Sequence, residues 1–253
     1  MIDEIDPQKF TREIFGCDPE DIGETVVLTP GKKLVHALKE KVEVLKEFKG
    51  FLEGFTGNYG GKSISVIRSL VGSPIAADSV YFLGSTPCKN IIYTGSIGAL
   101  KGDIKIGDII IPTGAVRGEG ASKYHAKEWY PAVPSFELLR KVAPVLEKDL
   151  AKTSINVHYG IIYTTDSFAA ETKAFMEKLS KMNIIGIDME TSAIFTVARL
   201  QCKKAIAIHV VSDNPMVGKS LVEPMSSEDK NRHRLSTETF QYLLPRIVAS
   251  VSG

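Results

Sequence analysis

Two acidic residues close together in the sequence are the first candidates for chemistry. In residues 186–195 an apolar, strand-like segment runs into a helical one, and Asp188 and Glu190 both stand at the junction. A carboxylate at the start of a helix is favoured by the helix dipole and by the free backbone amides, which accounts for one of the two acids. The other has no such structural explanation, so this junction is a candidate ligand-binding site.

A third acid occupies a position suited to proton transfer. Asp213 follows Ser212 at the end of an apolar, strand-like run. A carboxyl at the end of a buried strand loses solvent, which raises its pKa and suits a general acid near neutral pH. An Asp turn before Pro215 is the alternative explanation of the same residues.

Small residues at positions 95–98 (Gly-Ser-Ile-Gly) form a candidate anion site. They would let backbone amides converge on an anion, and the Ser96 hydroxyl adds a donor. A tight turn without a ligand explains the same residues equally well. The spacing does not fit the dinucleotide-binding fingerprint, and Thr94 replaces the first Gly of a nucleophile elbow, which argues against hydride transfer and serine hydrolysis.

Strand-like and helix-like segments alternate along the chain that carries these residues, which predicts an α/β fold with a buried, parallel or mixed sheet. The predicted strands cover residues 25–28, 63–67, 90–94, 108–112, 157–163, 183–187 and 204–211. The predicted helices cover residues 34–48, 75–83, 136–150, 171–180, 190–200 and one long segment from 226 to the C-terminal region. No repeat or linker interrupts the pattern, so a single domain over residues 1–253 is expected.

The overall composition narrows the possible partners. The net charge is +1 and no long basic block is present, which argues against nucleic-acid binding. No apolar run is long enough to cross a membrane, and the first residues lack the apolar segment of a signal peptide. Three widely spaced cysteines without a Cys-x-x-Cys pair argue against a zinc site and for reduced thiols. We therefore expect a cytoplasmic protein without a bound metal.

Three motifs stand out by their order and spacing: residues 94–100 (Thr-Gly-Ser-Ile-Gly-Ala-Leu), 188–195 (Asp-Met-Glu-Thr-Ser-Ala-Ile-Phe) and 212–215 (Ser-Asp-Asn-Pro). With support from residues 54–59, 64–66, 107–112, 117–122 and 130–132, they resemble the nucleoside phosphorylase superfamily. The resemblance starts near residue 25 and leaves residues 1–24 outside. It implies a three-layer α/β/α sandwich around a mixed, twisted sheet, assembled as a hexamer or dimer.

The resemblance also implies roles for single residues. Glu190 would accept hydrogen bonds from ribose hydroxyls, and Met189 would pack on the sugar. Asp213 would protonate a purine ring nitrogen as the base departs, and an Asp directly after Ser212 is the purine type of this motif. Ser212 would also help to bind the base. Phe168 would stack on the base.

A second group of residues would hold the incoming anion. The resemblance assigns this role to Ser96, Gly95 and Gly31, and Arg68 stands where it could also reach an anion. In purine-cleaving relatives a basic residue in the C-terminal region assists the catalytic acid, and the candidates here are Lys230 and Arg232.

The sequence departs from the family pattern at the two standard phosphate anchors. Tyr93 and Val35 stand where phosphorylases carry arginines, and a lysine is no simple replacement for a bidentate Arg. Lys32, Lys33, Lys49 or Arg68 could rebuild a cationic site, or water could replace phosphate.

The function expected from these observations is cleavage of the N-glycosidic bond of a purine nucleoside by phosphorolysis, giving free base and ribose 1-phosphate. Hydrolysis of a nucleoside or of AMP is the first alternative, and a non-catalytic nucleoside-binding protein is the second. Inorganic phosphate would be a co-substrate and no cofactor is expected. The expected partners are a small-molecule nucleoside and further copies of the chain.

Overall fold

A nine-stranded β-sheet organises the chain. The computed structural model describes residues 6–252. The strands in these residues are β1 (Thr25–Thr29), β2 (Glu43–Lys49), β3 (Glu53–Tyr59), β4 (Lys62–Arg68), β5 (Asn90–Ala99), β6 (Ile109–Arg117), β7 (Val157–Thr164), β8 (Gly186–Asp188) and β9 (Lys204–Asp213). The α-helices are α1 (Pro7–Phe15), α2 (Lys32–Lys39), α3 (Ser73–Leu83), α4 (Phe136–Leu150), α5 (Lys173–Lys181), α6 (Thr191–Leu200) and α7 (Ser227–Val251).

The sheet is mixed and part of it closes on itself. Its strand order is β2-β3-β4-β1-β5-β8-β7-β6-β9, and β9 also pairs with β5. The long β5–β9 pairing is parallel, whereas β5–β8 and β6–β9 are antiparallel. Strands β5, β8, β7, β6 and β9 therefore form a ring, and the ends of β5, β8 and β9 come close together.

Helices cover both faces of the sheet. On one face α3 packs against α6 and α1, and on the other α7 packs against α4 and α2. Strands β1 and β9 are buried almost throughout, as expected for apolar strands between two helical layers. The predicted three-layer sandwich around a mixed sheet is confirmed.

One predicted helix is wrong. The segment 34–48 was expected to be helical, but α2 ends at Lys39 and Glu43–Lys49 forms the edge strand β2. The charges that suggested a solvated helix face belong to an exposed sheet edge, where charged side chains oppose pairing with other chains. Strand β3, rich in small residues, was not predicted, and it pairs with both β2 and β4.

The other predicted elements are found, and two strands are longer than expected. Strands β5 and β6 continue past residues 94 and 112 to Ala99 and Arg117. The small residues 95–98 therefore lie within β5, where Gly95 and Ser96 pair with β9. Cys17, Cys88 and Cys202 are free thiols. Within residues 6–252 no helix is both long and apolar enough to cross a membrane.

Candidate active site

A cavity of about 640 Å³ opens where β5, β8 and β9 end. Loops after β1, β4 and β7 complete its wall, together with a short segment that follows β9. The lining residues are Pro30, Val71, Tyr93, Ser96, Ile97, Gly98, Phe168, Glu171, Met176, Ile187, Asp188, Met189, Glu190, Ser212, Asp213, Pro215, Ser220, Leu221 and Val222. Six of the predicted site residues therefore share one cavity: Ser96, Phe168, Met189, Glu190, Ser212 and Asp213.

Asp188 and Glu190 have different roles at the β8–α6 junction. Asp188 Oδ2 accepts a hydrogen bond from the Thr191 amide at 2.9 Å, and Asp188 Oδ1 accepts one from the Thr164 hydroxyl at 2.7 Å. Asp188 thus caps the start of α6 and ties it to β7. Because Asp188 accepts the hydrogen bond of the Thr191 amide at the start of α6, Glu190 is not needed as a cap and faces the cavity.

Glu190 is buried and held by backbone amides. Its Oε1 accepts a hydrogen bond from the Gly72 amide at 2.7 Å, and its Oε2 accepts a weaker one from the Met189 amide at 3.3 Å. Burial, followed by the charge of Asp188, raises the pKa of Glu190 to about 7, while hydrogen bonds from Gly72, Tyr93 and Met189 oppose that rise. This carboxyl has acceptor capacity left for hydroxyl groups of a ligand.

Asp213 lies at the end of β9, next to β5. Gly98 is its register partner in β5, where a larger side chain would approach the carboxyl. Burial raises the pKa of Asp213, and the hydrogen bond that the Ser212 hydroxyl donates to Asp213 Oδ1, 2.7 Å long, partly opposes the rise. The carboxyl thus has the raised pKa that a general acid needs.

The residues after β7 form another part of the wall. The Phe168 side chain is 64% exposed and presents its ring at the cavity. Glu171 follows on the same segment and also lines the cavity. Sequence reasoning did not single out Glu171, because it lies in a loop and belongs to no motif.

Of the four predicted anion-binding residues, the structure places one in the cavity wall. Ser96 lines the cavity, whereas Gly95, Gly31 and Arg68 are not among the described residues of its wall. Arg68 donates a hydrogen bond to Glu53 Oε1 at 2.9 Å, on the β3–β4 part of the sheet. The 95–98 segment is extended and pairs within the sheet, so the tight turn given as the alternative is not found, and the anion-binding role of this segment stays a prediction.

Arg232, a candidate partner of Asp213, and Val35, which replaces an arginine of the family pattern, both contact other parts of the structure. Arg232 donates a hydrogen bond to Asp108 Oδ1 at 2.7 Å and another to the Ile106 carbonyl at 3.0 Å. Arg232 is therefore part of a buried ion pair and not a partner of Asp213. Val35 packs against the core cluster under α2, α4 and α7.

Tyr93 replaces the expected phosphate-anchoring arginine with a buried, neutral side chain. It is 1% exposed, and its ring meets that of His209 edge-on, with centroids 5.6 Å apart. Burial, and then the charges of Glu190 and Asp188, raise the pKa of Tyr93 well above its usual value. Its hydroxyl therefore stays protonated and donates its hydrogen bond to Glu190.

Comparison with known proteins identifies the family. Residues 25–249 match the model of the phosphorylase superfamily, and the chain belongs to that family. It is 33% identical over 213 residues to a DeoD-type purine nucleoside phosphorylase of Bacillus velezensis, covering 81% of this chain and 88% of the relative. The match confirms the predicted family, and with it the prediction of an enzyme of the nucleoside phosphorylase class or a related nucleosidase.

Solved structures agree with the fold. A uridine phosphorylase from Vibrio fischeri superposes with a TM-score of 0.79 and 26% identity, covering 96% of this chain and 97% of the other. An AMP nucleosidase from Bacteroides thetaiotaomicron superposes with a TM-score of 0.73 and 23% identity, covering 95% and 98%. The second likeness concerns the fold alone.

Proposed function

We propose that this chain cleaves the N-glycosidic bond of a purine nucleoside by phosphorolysis. The observation that carries the proposal is the placing of two separately held carboxyls, Asp213 and Glu190, in the wall of one cavity. The relative from Bacillus velezensis, a purine nucleoside phosphorylase by name, supports the choice of substrate and of acceptor.

The two carboxyls match the two needs of this reaction. Cleavage passes through a sugar with oxocarbenium character, so the departing base needs a proton and the ribose needs a fixed position. Asp213, with its raised pKa, would give its proton to a ring nitrogen of the purine. Glu190 would accept hydrogen bonds from the ribose hydroxyls, with Met189 packed against the sugar and Phe168 against the base. Phosphate is the co-substrate, Ser96 would donate a hydrogen bond to it, and no cofactor takes part.

Hydrolysis is a second candidate, and the charge of the wall favours it. Three carboxyl side chains line the cavity, those of Glu171, Glu190 and Asp213, whereas the Asp188 carboxyl lies fully buried behind the wall. No Lys, Arg or His is among the described lining residues. A phosphate dianion gains affinity from charged donors, whereas Tyr93 carries only a neutral hydroxyl that already donates to Glu190. Water as the acceptor would need no cation at the position of Tyr93.

One assay separates these possibilities. Base release is measured with inosine, adenosine, uridine and AMP, with and without inorganic phosphate, and the sugar product is identified. Phosphate-dependent release with ribose 1-phosphate would support phosphorolysis, and phosphate-independent release with free ribose or ribose 5-phosphate would support hydrolysis. Binding of all four compounds without base release would overturn both and leave a nucleoside-binding protein.

The proposal includes a cytoplasmic homo-oligomer, a hexamer or dimer. Two aromatic side chains near each other in sequence support an interface: Tyr124 is 93% exposed and Trp129 is 81% exposed. Aromatic residues are enriched where protein surfaces meet. Light scattering after gel filtration tests the assembly, and a monomer at micromolar concentration would contradict it.

A further inference from the structure

Glu171 is a carboxyl of the cavity without a partner of its own. Among residues 6–252, no side chain or backbone group makes a hydrogen bond or ion pair with the Glu171 carboxyl. It is nevertheless partly buried and lines the cavity beside Phe168. A carboxyl that gives up water without gaining a partner costs free energy, which a ligand can recover by hydrogen-bonding to it.

The charged group that acts on Glu171 is Asp213. Burial, followed by the charge of Asp213, raises the pKa of Glu171 to about 7. On the adjoining helix α5, Lys173 forms its ion pair with Glu177, at 4.0 Å, and not with Glu171. Glu171 and Asp213 both line the cavity, and neither takes part in the hydrogen bonds by which backbone amides hold Glu190.

The position of Asp213 decides which part of a purine Glu171 would meet. If Asp213 protonates the ring nitrogen N7, the neighbouring group on the same edge of the base is the substituent at C6. This substituent is an acceptor in 6-oxopurines and a donor in 6-aminopurines. A carboxylic acid can donate to the first, and a carboxylate can accept from the second.

We propose that Glu171 selects the base by hydrogen bonding to the exocyclic substituent at C6 of the purine. This role rests on the proposed function and names a specificity residue for it. Protonated Glu171 favours 6-oxopurine nucleosides, and ionised Glu171 favours 6-aminopurine nucleosides. Base preference thus changes with pH around neutrality.

The test compares three substrates that share the ribose and the purine ring and differ in the substituent at C6: inosine, adenosine and purine riboside. For the unmodified protein, the ratio of kcat/KM for inosine to that for adenosine falls by up to about 100-fold from about pH 6 to about pH 8, on either side of a pKa of about 7. In Glu171→Gln, whose amide both donates and accepts at any pH, the ratio no longer changes with pH.

Two controls test whether the effect depends on the C6 substituent and on Glu171. Purine riboside has no substituent at C6, so Glu171→Gln should lower its kcat/KM by a smaller factor than that of inosine at about pH 6, and its turnover reports a folded active site. Glu177→Gln removes a carboxyl from α5 outside the cavity wall and should keep the full pH dependence. Effects of Asp213 ionisation common to both substrates cancel in the ratio.

An inosine-to-adenosine ratio that is independent of pH in the unmodified protein would overturn the inference. So would a Glu171→Gln variant that keeps the dependence, or one that loses purine riboside turnover as well. Absence of base release from all three nucleosides would instead overturn the proposed function.

Discussion

The Gly72 amide donates a hydrogen bond of 2.7 Å to Glu190 Oε1, joining positions 118 residues apart in sequence. Gly72 has a φ of +109°, a conformation that side-chain-bearing residues rarely adopt. The loop after β4 thus uses a glycine to turn its backbone donor toward the carboxyl. Glu190 is fixed before any ligand arrives, so binding need not order this side chain.

Glu190→Ala should remove the discrimination between ribose and deoxygenated sugars. Hydrogen bonds to a charged group are worth roughly 1.5–3 kcal/mol, so kcat/KM for a ribonucleoside should fall about 10- to 100-fold. The 2′,3′-dideoxy analogue lacks the groups that Glu190 would bind, and its kcat/KM should hardly change. Steady-state kinetics on the pair measure this difference, and equal losses on both compounds would contradict the ribose role.

Asp213→Asn should lower kcat by about 10²- to 10⁴-fold on inosine, since it removes the proton donor. Calorimetric binding of the nucleoside should persist. The 7-methyl derivative of inosine already carries the positive charge that protonation would create, so the variant should retain most of its turnover on it. A variant equally defective on both substrates would show that Asp213 does not act as an acid.

Ser212→Ala should shift the pH profile without abolishing activity. The Ser212 hydroxyl stabilises the ionised form of Asp213 and so lowers its pKa. Without that hydrogen bond the pKa rises further, and the loss of activity on the alkaline side should move to higher pH, by about one pH unit at most. If the acidic side of the kcat/KM profile moves to higher pH instead, the ionised form of Asp213 is the active one.

The sequence predicted the two central carboxyls because each follows a long-range pattern. Glu190 stands where strand periodicity changes to helix periodicity, and Asp213 ends an apolar run that becomes the buried strand β9. The spacing of apolar residues that distinguishes a strand from a helix can be read from the sequence alone. Most strands and helices were predicted for the same reason. By contrast, Glu171 lies in a loop whose path depends on packing between distant segments, which no local pattern records.

The errors concern residues whose partners are distant in sequence. Whether Arg68 and Arg232 face the cavity depends on Glu53 and Asp108, which lie in other elements. Residues 40–48 carry charges at spacings that suit a helix as well as an exposed edge strand, and only pairing with β3 decides between them.

The structural role of Arg232 can be tested directly. Arg232→Met removes the arginine from the fully buried Asp108, which keeps His158 and two backbone amides as partners. The loss is that of a hydrogen bond to a charged group, about 1.5–3 kcal/mol of unfolding free energy. Arg234→Met, which removes an exposed pair with Glu238, should cost less than about 1 kcal/mol. Urea denaturation measures both, and kcat per folded molecule should be unchanged. A stable Arg232→Met protein with impaired kcat would restore Arg232 to the catalytic site.

The closed ring of strands has a consequence for synthesis of the protein on the ribosome. Asn90 of β5 pairs with Lys204 of β9, so this contact forms only after most of the chain has emerged. Until then β5 exposes an apolar edge, and such an edge invites pairing with other nascent chains. Contacts of this separation in sequence also slow folding. Asp213, the proposed catalytic acid at the end of β9, is thus among the last residues to be positioned, and a chain truncated before residue 204 would lack both the ring and this carboxyl.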